Sequence, residues 1–168
     1  MRNLITEQEI SRIVNKLADQ INKDFSNQEV VAVGILKGSV IFLADLIRQL
    51  EMPLVLDFIQ VSSYRGTQST GEIIIKKDLA FDIKDKNILI IEDIIDTGVT
   101  LNSLKKIFME RGPKSLKVVT LLDKPSRRKV EFKADYIGRE IPDEFVVGYG
   151  LDYDEKFRNL PYVGIYEK

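Results

Sequence analysis

Neither cysteine nor histidine occurs among the 168 residues of the sequence. Their absence excludes disulfides, zinc fingers, iron–sulfur sites, cysteine nucleophiles and every catalytic triad or metal site that depends on histidine. Any catalysis must therefore use carboxylates, lysine, tyrosine, hydroxyls, backbone N–H groups or a hard cation bound by oxygen. We expect such a cation to be Mg²⁺ shared with a phosphorylated ligand, because Mg²⁺ prefers oxygen and keeps several waters.

Long hydrophobic runs and an excess of one charge are missing as well. The longest mostly apolar run, residues 30–36, is far shorter than the roughly 20 residues that cross a bilayer, and the N-terminus lacks the apolar stretch of a signal peptide. Lysine and arginine number 25 against 26 aspartates and glutamates, which gives a net charge of −1. This balance disfavours a protein that coats nucleic acid or anionic lipid. We therefore expect a cytoplasmic protein that binds neither nucleic acid nor membrane.

Apolar residues at helical spacing predict three helices. Thr6 and Glu9 form a capping box ahead of the first helix, which we expect over residues 7–23. Ser39 is placed to cap a second helix that runs to Leu50. The third helix carries its apolar residues on one face, at Leu101, Leu104, Ile107 and Phe108.

Five strand-like runs alternate with these helices, at residues 30–36, 54–61, 72–79, 87–93 and 115–122. No internal repeat or low-complexity linker interrupts them, so we expect one domain over residues 1–168. The alternation predicts an α/β fold with a mainly parallel central sheet flanked by helices, in which ligands bind beyond the carboxyl ends of the strands. Residues 62–71 contain no aliphatic side chain, and we expect them to form a mobile hairpin loop.

The strongest functional signal follows the buried run 87–93. This run ends in the carboxylate pair Glu92 and Asp93, and the loop 96–100, made of small and hydroxyl residues, then enters the third helix. Backbone N–H groups and the positive end of the helix dipole converge at such a point, which favours phosphate binding. Gly98 allows the backbone to approach a ligand closely. The pattern predicts a phosphate cradle.

The loop has a simpler alternative role, because Asp96 or Thr97 could do no more than cap the helix. The carboxylate pair argues for a ligand site, since buried charge needs partners. Carboxylates accept hydrogen bonds from the two hydroxyls of a ribose, while the cradle suits a phosphate on the same sugar. The combination predicts a ribose 5-phosphate site. The sequence has neither the G-x-x-x-x-G-K-[ST] nor the G-x-G-x-x-G motif, which disfavours a P-loop NTPase and a dinucleotide-binding fold.

The stretch 88–101 resembles the phosphoribosyl pyrophosphate signature of type I phosphoribosyltransferases. Three further segments resemble the hypoxanthine(-guanine) phosphoribosyltransferases in the same order and at similar spacing. They are Leu36-Lys37-Gly38-Ser39, Ser62-Ser63-Tyr64 with residues 68–71, and residues 140–143 continuing to Phe157-Arg158. The resemblance spans nearly the whole chain and implies the type I fold, with a small hood formed by parts of the N-terminal and C-terminal segments.

The resemblance implies that Glu92 and Asp93 hold the ribose hydroxyls. It also implies that the 5-phosphate is bound by the backbone and hydroxyls of the loop, residues Asp96, Thr97, Gly98, Val99 and Thr100. Asp96 would be the general base or proton acceptor near N7 of the purine, which must lose or share its proton as N9 attacks. Some relatives carry lysine at the position of Val99, so an additional charge contact is in doubt here.

For the pyrophosphate, the resemblance implies binding by Lys37, Gly38 and Arg158, with a cis peptide bond before Lys37. For the purine, it implies that Lys124 donates to O6, that Phe145 stacks on the base and that Val146 makes a backbone contact to its edge. Asp152 would lie in the purine region as a second Mg²⁺ anchor. The implied metal ligands are therefore Glu92, Asp93 and Asp152, and Ser63 and Tyr64 would belong to a lid that excludes water.

The function that the resemblance implies is purine salvage. The enzyme would transfer the phosphoribosyl group from phosphoribosyl pyrophosphate to N9 of hypoxanthine, and also of guanine, in a Mg²⁺-dependent reaction. Its partners would be these 6-oxopurine bases, the products IMP and GMP, and pyrophosphate. Relatives are dimers or tetramers, so we expect a homodimer or a homotetramer.

Two readings from other functional classes stay open at this point. One is a non-enzymatic regulator on the same fold that binds nucleotide or RNA through the basic clusters 76–77, 105–106 and 127–129, although charged runs are usually solvated faces. The other is a receiver-type signalling domain, because acidic strand ends with a threonine and a lysine also mark that fold. Its length of about 120 residues and its lack of a segment such as 145–149 count against it.

Overall fold

The structure is a computed structural model that describes residues 1–63 and 71–167. Its helices are α1 (Glu7–Asp24), α2 (Val40–Ile47) and α3 (Val99–Glu110), with a short 3₁₀ turn at Pro125–Arg127. Its strands are β1 (Arg2–Ile5), β2 (Val30–Ile35), β3 (Leu54–Ser63), β4 (Ile73–Lys77), β5 (Asn87–Ile95), β6 (Ser115–Asp123), β7 (Tyr136–Glu140), β8 (Val146–Val147) and β9 (Val163–Ile165).

Six of the strands form one sheet in the order β4-β3-β2-β5-β6-β7. All neighbouring pairs are parallel except β3 and β4, which are antiparallel. In register, Val31 of β2 lies opposite Val55 of β3 on one side and Ile88 of β5 on the other. The predicted α/β class with a mainly parallel central sheet is confirmed. All five predicted strands occur, although the expected strand 72–79 is shorter, at Ile73–Lys77.

Helices cover both faces of the sheet, which explains why the central strands are apolar without a break. Successive side chains of a strand point to opposite faces. Leu89 and Ile91 of β5 pack in the core beneath α1 and α2, whereas Ile88 and Ile90 pack in the second core beneath α3. All four side chains are fully buried. A strand covered on both sides needs an apolar residue at every position.

Helix α1 begins at the predicted capping box. The Thr6 hydroxyl accepts a hydrogen bond from the Glu9 N–H at 3.2 Å, and the Glu9 carboxylate accepts one from the Thr6 N–H at 2.8 Å. Both bonds satisfy N–H groups that have no partner within the helix. The predicted helix over 7–23 is confirmed.

Helix α2 begins after Ser39, as predicted, but the predicted side-chain cap and the predicted end of the helix were wrong. Ser39 does not cap the helix with its side chain, because its backbone is already helical and its hydroxyl donates to the Ile35 carbonyl at 2.7 Å. The helix ends at Ile47 instead of Leu50. Asn22 of α1 contacts the segment that follows, accepting from the Glu51 N–H and donating to the Gln49 carbonyl. These tertiary hydrogen bonds hold the backbone beyond α2 in a non-helical path.

The remaining strands form a small antiparallel sheet from both ends of the chain, in the order β1-β9-β8. Arg2 of β1 lies opposite Ile165 of β9, which in turn lies opposite Val146 of β8. The sequence analysis missed β1, since its four residues are too few to show alternation. Residues 148–162 connect β8 to β9.

Within the described residues, no helix combines the length and the apolarity that crossing a bilayer requires.

The capping box yields a stability prediction. Thr6→Ala removes the acceptor for the Glu9 N–H and should lower the free energy of unfolding by about 1 kcal/mol, measured by urea denaturation. Thr6→Ser keeps the hydroxyl and should stay within about 0.5 kcal/mol of the wild type. Equal stability of the alanine and serine variants would contradict a role for the cap.

Candidate active site

A cleft of about 350 Å³ lies at the carboxyl ends of β2 and β5, next to the beginning of α3. This is the edge of the sheet where the alternation of strands and helices predicted a ligand site. The cleft brings together nine of the predicted site residues, namely Gly38, Glu92, Asp93, Asp96, Thr97, Gly98, Thr100, Asp152 and Arg158.

The loop between β5 and α3 leaves the beginning of the helix open toward the cleft. Gly98 is the N-cap of α3 and has a φ of +80°, which glycine adopts without strain. No side chain caps the helix, although the Thr97 hydroxyl accepts from the Val99 N–H at 3.3 Å. The carboxylate of Asp96 points elsewhere, to Arg127. The alternative in which Asp96 only caps the helix is therefore wrong.

The carboxylate pair at the end of β5 is half-buried and internally hydrogen-bonded. The Asp93 N–H donates to Glu92 Oε1 at 2.9 Å, and the Ile94 N–H donates to Asp93 Oδ1 at 2.6 Å. Burial, followed by the charge of Asp93, raises the pKa of Glu92 well above its usual value. Burial also raises the pKa of Asp93, while hydrogen bonds with Glu92 and with the Ile94 N–H, and then the charge of Arg158, oppose that rise. Two such carboxylates favour a ligand that supplies hydroxyl donors or positive charge.

The loop after β2 lies directly against this pair. A Cβ atom at Gly38 would lie 1.9 Å from Asp93 Oδ2, so only glycine fits there. The peptide bond between Leu36 and Lys37 is cis, as the resemblance implies. Lys37 itself is exposed and does not line the cleft; its ammonium lies 3.0 Å from Glu155 Oε2.

The connection between β8 and β9 brings a cation and two carboxylates to the opposite wall. Arg158 Nη1 donates to the Gly150 carbonyl at 2.7 Å, and its Nη2 lies 3.2 Å from Glu155 Oε1 and 3.4 Å from Asp152 Oδ1. Glu155 thus contacts both of the cations that are predicted to bind pyrophosphate, Lys37 and Arg158. The hydrogen bond from Lys37, and then that from Arg158, lowers the pKa of Glu155.

Asp96 lies at the outer end of the cleft and is paired with an arginine. Arg127 Nε donates to Asp96 Oδ1 at 2.9 Å, and Arg127 Nη1 lies 3.6 Å from Asp143 Oδ2. Both Asp96 and Arg127 are more than two-fifths exposed, so water weakens their attraction. The carboxylate is therefore held in place while it stays accessible to a ligand.

Of the four predicted purine-binding residues, Asp152 lines the cleft, whereas Lys124, Phe145 and Val146 do not. Lys124 follows β6 and is 7% exposed, and its side chain has no ion-pair partner in the part of the chain that the structure describes. Phe145 is 49% exposed, with its ring centroid 5.7 Å from that of Tyr153. Val146 is buried in β8. An open aromatic ring and a buried, unpaired cation are features that a planar polar ligand could use.

Two other predicted residues lie at the margin. Val99 is the first residue of α3 and does not line the cleft. Ser63 ends β3, and its hydroxyl lies 3.4 Å from that of Thr100. The predicted lid residue Tyr64 lies outside the described residues.

Sequence reasoning missed Arg127 and Glu155, the partners of Asp96 and of the two pyrophosphate-binding cations. Arg127 had been assigned only to a basic cluster, and Glu155 gave no signal, because both gain their roles from tertiary contacts. It also missed the apolar wall of the cleft at Leu36, Val61 and Leu101. Among residues 1–63 and 71–167, no three acidic side chains lie close enough together to hold a metal ion by themselves.

Comparison with known proteins places the chain in a family. A model of the phosphoribosyl transferase domain matches residues 2–154. A hypoxanthine-guanine phosphoribosyltransferase of Staphylococcus aureus is 54% identical over 162 residues, which cover 96% of this chain and 90% of that protein.

Solved structures agree with the sequence comparison. A crystal structure of a hypoxanthine phosphoribosyltransferase from Staphylococcus aureus matches with a TM-score of 0.96 and 52% identity, covering 99% of this chain and 91% of that one. A hypoxanthine-guanine phosphoribosyltransferase from Bacillus anthracis, with a HEPES molecule in its active site, matches with a TM-score of 0.96 and 48% identity over 99% of both chains. The expected type I fold is confirmed, and the chain belongs to the phosphoribosyltransferase family, among the hypoxanthine-guanine phosphoribosyltransferases.

Proposed function

We propose that the chain catalyses purine salvage, transferring the 5-phosphoribosyl group of phosphoribosyl pyrophosphate to N9 of hypoxanthine and of guanine. The products are IMP or GMP and pyrophosphate. One observation carries the proposal: the carboxylate pair Glu92 and Asp93, the open loop 96–100 and the Gly38 loop meet in a single cleft. Together they offer sites for a diol, a phosphate and a second anionic group attached to one sugar.

The sugar phosphate is held by residues from one continuous stretch of chain. Glu92 and Asp93 accept hydrogen bonds from the two ribose hydroxyls, which relieves their unfavourable burial. The backbone N–H groups and hydroxyls of residues 96–100 bind the 5-phosphate at the positive end of α3. These contacts fix the position of C1 of the ribose relative to the carboxyl ends of the strands.

The pyrophosphate occupies the other side of the cleft. Arg158 and the backbone of Lys37 and Gly38 stabilise the negative charge that develops as the bond to C1 breaks. Glu155 forms ion pairs with both cations, and we propose that it releases them to the pyrophosphate. A planar guanidinium is suited to this role because it binds phosphate oxygens in pairs.

The purine stacks on the exposed ring of Phe145, with Val146 contacting its edge through the backbone. Lys124 donates to O6, which selects 6-oxopurines over adenine. Asp96 accepts the proton from N7 as N9 attacks C1. For this step its carboxylate must turn from Arg127 to the base, which the weak, solvent-exposed ion pair permits.

Mg²⁺ fits this site. Glu92 and Asp93 are adjacent, and burial raises the pKa of both, so a bound cation would stabilise their charged forms. Mg²⁺ is commonly bound by one or two carboxylates together with substrate phosphates, so a complete protein cage is not needed. We propose that Glu92 and Asp93 hold one ion and Asp152 anchors a second. Bound Mg²⁺ neutralises charge on the pyrophosphate leaving group.

The architecture supports a hood on a single domain. The connection 148–162 of the small β1-β9-β8 sheet carries Asp152 and Arg158 into the cleft, so both ends of the chain help to close it. Homodimeric or homotetrameric assembly and a cytoplasmic location stay predictions.

An RNA-binding regulator is less well supported than an enzyme. Arg127 and Arg128 are paired with Asp96 and Asp123, and the Lys77 ammonium donates to two backbone carbonyls. These cations are therefore not free to bind a nucleic-acid backbone. The receiver-type alternative is wrong, because the chain belongs to another family.

The reaction is tested by incubating the protein with phosphoribosyl pyrophosphate and each of hypoxanthine, guanine, xanthine and adenine, with Mg²⁺ or with a chelator. We expect IMP and GMP only with Mg²⁺, and no AMP. Asp96→Asn should lower kcat by about 10²–10⁴-fold, the usual contribution of a general base. Asp19→Asn, on the exposed surface of α1, is the matched control. Near-normal turnover of the Asp96 variant would remove the proton-acceptor role.

The carboxylate pair predicts a pH dependence of stability. A carboxyl with a raised pKa binds more protons in the folded than in the unfolded state above about pH 4.5, so it lowers the free energy of unfolding as pH rises beyond that value. Glu92→Gln removes this effect. In chelator, its Tm should exceed that of the wild type by more at pH 8 than at pH 5, measured by calorimetry, while Glu131→Gln should show no such trend. A constant difference between the two pH values would refute the assignment.

The lid is a separate proposal, supported by the position of Ser63 beside Thr100 at the mouth of the cleft. Tyr64→Ala should reduce kcat by about tenfold or more, since an open site admits water as a competing nucleophile. The Tm should stay within about 2 °C of the wild type, because the sequence predicts a polar loop over residues 62–71 that adds no aliphatic side chain to a core. Unchanged kinetics would reject the lid.

A further inference from the structure

Three consecutive backbone carbonyls, beginning with that of the last residue of β5, face the same neighbouring segment. The carbonyl oxygens of residues 95–97 all accept hydrogen bonds from residues 124–129. In order, the donors are the N–H of Lys124, Nη1 of Arg128 and the N–H of Lys129, each at 2.9 Å. The middle bond is the only one of the three that a side chain supplies.

This row of carbonyls determines where the N–H groups of the loop point. In a trans peptide, the C=O of one residue and the N–H of the next point in opposite directions. The N–H groups of residues 96–98 therefore face away from segment 124–129, toward the cleft that Thr97 and Gly98 line. Neither the Thr97 nor the Gly98 N–H has an acceptor among the described residues. Successive N–H groups on one side form an anion-binding concavity.

Arg128 ties the middle of this row to the frame of the sheet. Its Nη1 donates to the Asp96 carbonyl, its Nη2 to Asp123 Oδ1 at 2.6 Å and its Nε to the Phe132 carbonyl at 2.9 Å. The side chains of Arg128 and Asp123 are only 16% and 3% exposed. Asp123 is the last residue of β6, the strand paired with β5. All three nitrogens of this planar guanidinium donate hydrogen bonds, so the group has one orientation.

The same side chain lies beneath the glycine of the loop. A Cβ at Gly98 would be 3.0 Å from Cδ of Arg128 and 3.2 Å from Cβ of Phe132. A buried ion pair contributes little net stability compared with apolar packing, because desolvation offsets the attraction. What the Arg128–Asp123 pair contributes is geometry, since it sets the position of the Asp96–Thr97 peptide relative to β6.

We propose that Arg128, anchored by Asp123, is a positioning residue for the 5-phosphate of the substrate. It holds the Asp96 carbonyl so that the next N–H groups point into the cleft before any ligand arrives. This inference rests on the proposed function, because it assigns the bound anion to a ribose 5-phosphate. Arg128 does not touch the substrate; it acts through the backbone of the loop.

The test compares a ligand that has the phosphate with one that lacks it. Arg128→Lys keeps the charge opposite Asp123 but cannot reach three acceptors at once. We expect its Kd for IMP, measured by isothermal titration calorimetry, to rise about tenfold, as for the loss of one hydrogen bond to a charged group. Its Kd for inosine should change by less than about twofold. Arg139 of β7 forms an ion pair with Glu9, and the matched substitution Arg139→Lys should leave the Kd of both ligands unchanged.

An unchanged IMP affinity in Arg128→Lys would overturn the proposal, and so would equal losses for IMP and inosine, because these indicate a general disturbance. If Arg128→Lys does not fold, Asp123→Asn removes the charge that anchors Arg128 and must weaken IMP binding selectively, in the same direction. If the wild type binds no IMP, the proposed function fails. In that case the role of Arg128 is tested separately by NMR, by adding inorganic phosphate to the wild type and to Arg128→Lys and following the Thr97 and Gly98 amide signals. Smaller shifts of these signals in the variant support the role, and equal shifts overturn it.

Discussion

The burial of two adjacent carboxyl groups near the carboxyl end of β5 is the constraint around which the cleft is organised. Glu92 and Asp93 follow the five buried residues with which β5 begins, and burial raises both of their pKa values. A folded protein tolerates such an arrangement where a ligand completes it. The elements around the pair therefore bring hydrogen-bond donors and cations to its neighbourhood: the open N-terminus of α3, the Gly38 loop and Arg158.

Apart from Glu92, Asp93 and Lys124, several charged groups in and around the cleft are paired with one another. Arg127 faces Asp96, Arg128 faces Asp123, and Glu155 bridges Lys37 and Arg158. We propose that the groups of the exposed pairs, which attract each other weakly, are released to the substrate. The Arg128–Asp123 pair is buried, and we propose that it shapes the backbone that receives the phosphate.

Much of the fold could be predicted because its signals are local. The capping box of α1, the continuous apolar strands β2 and β5, and the small residues before α3 each reflect a physical requirement of their own segment. The prediction was wrong where distant residues intervene. Asn22 of α1 changes the end of α2, and the pairing of β1 with β9 creates a strand from four residues that have no strand pattern.

For the site, the sequence by itself determined the chemistry: which residues could supply carboxylates, a cation and an open helix N-terminus, and that they occur in the order typical of one family. Only the tertiary structure decided which groups meet. Residues 38, 92 and 158 are far apart in the chain. Segments 124–132 and 148–162 must fold back onto the strand ends before Arg127, Arg128 and Glu155 meet their partners. The reason is that hydrogen bonds and ion pairs depend on distances of about 3 Å, which local sequence patterns do not encode.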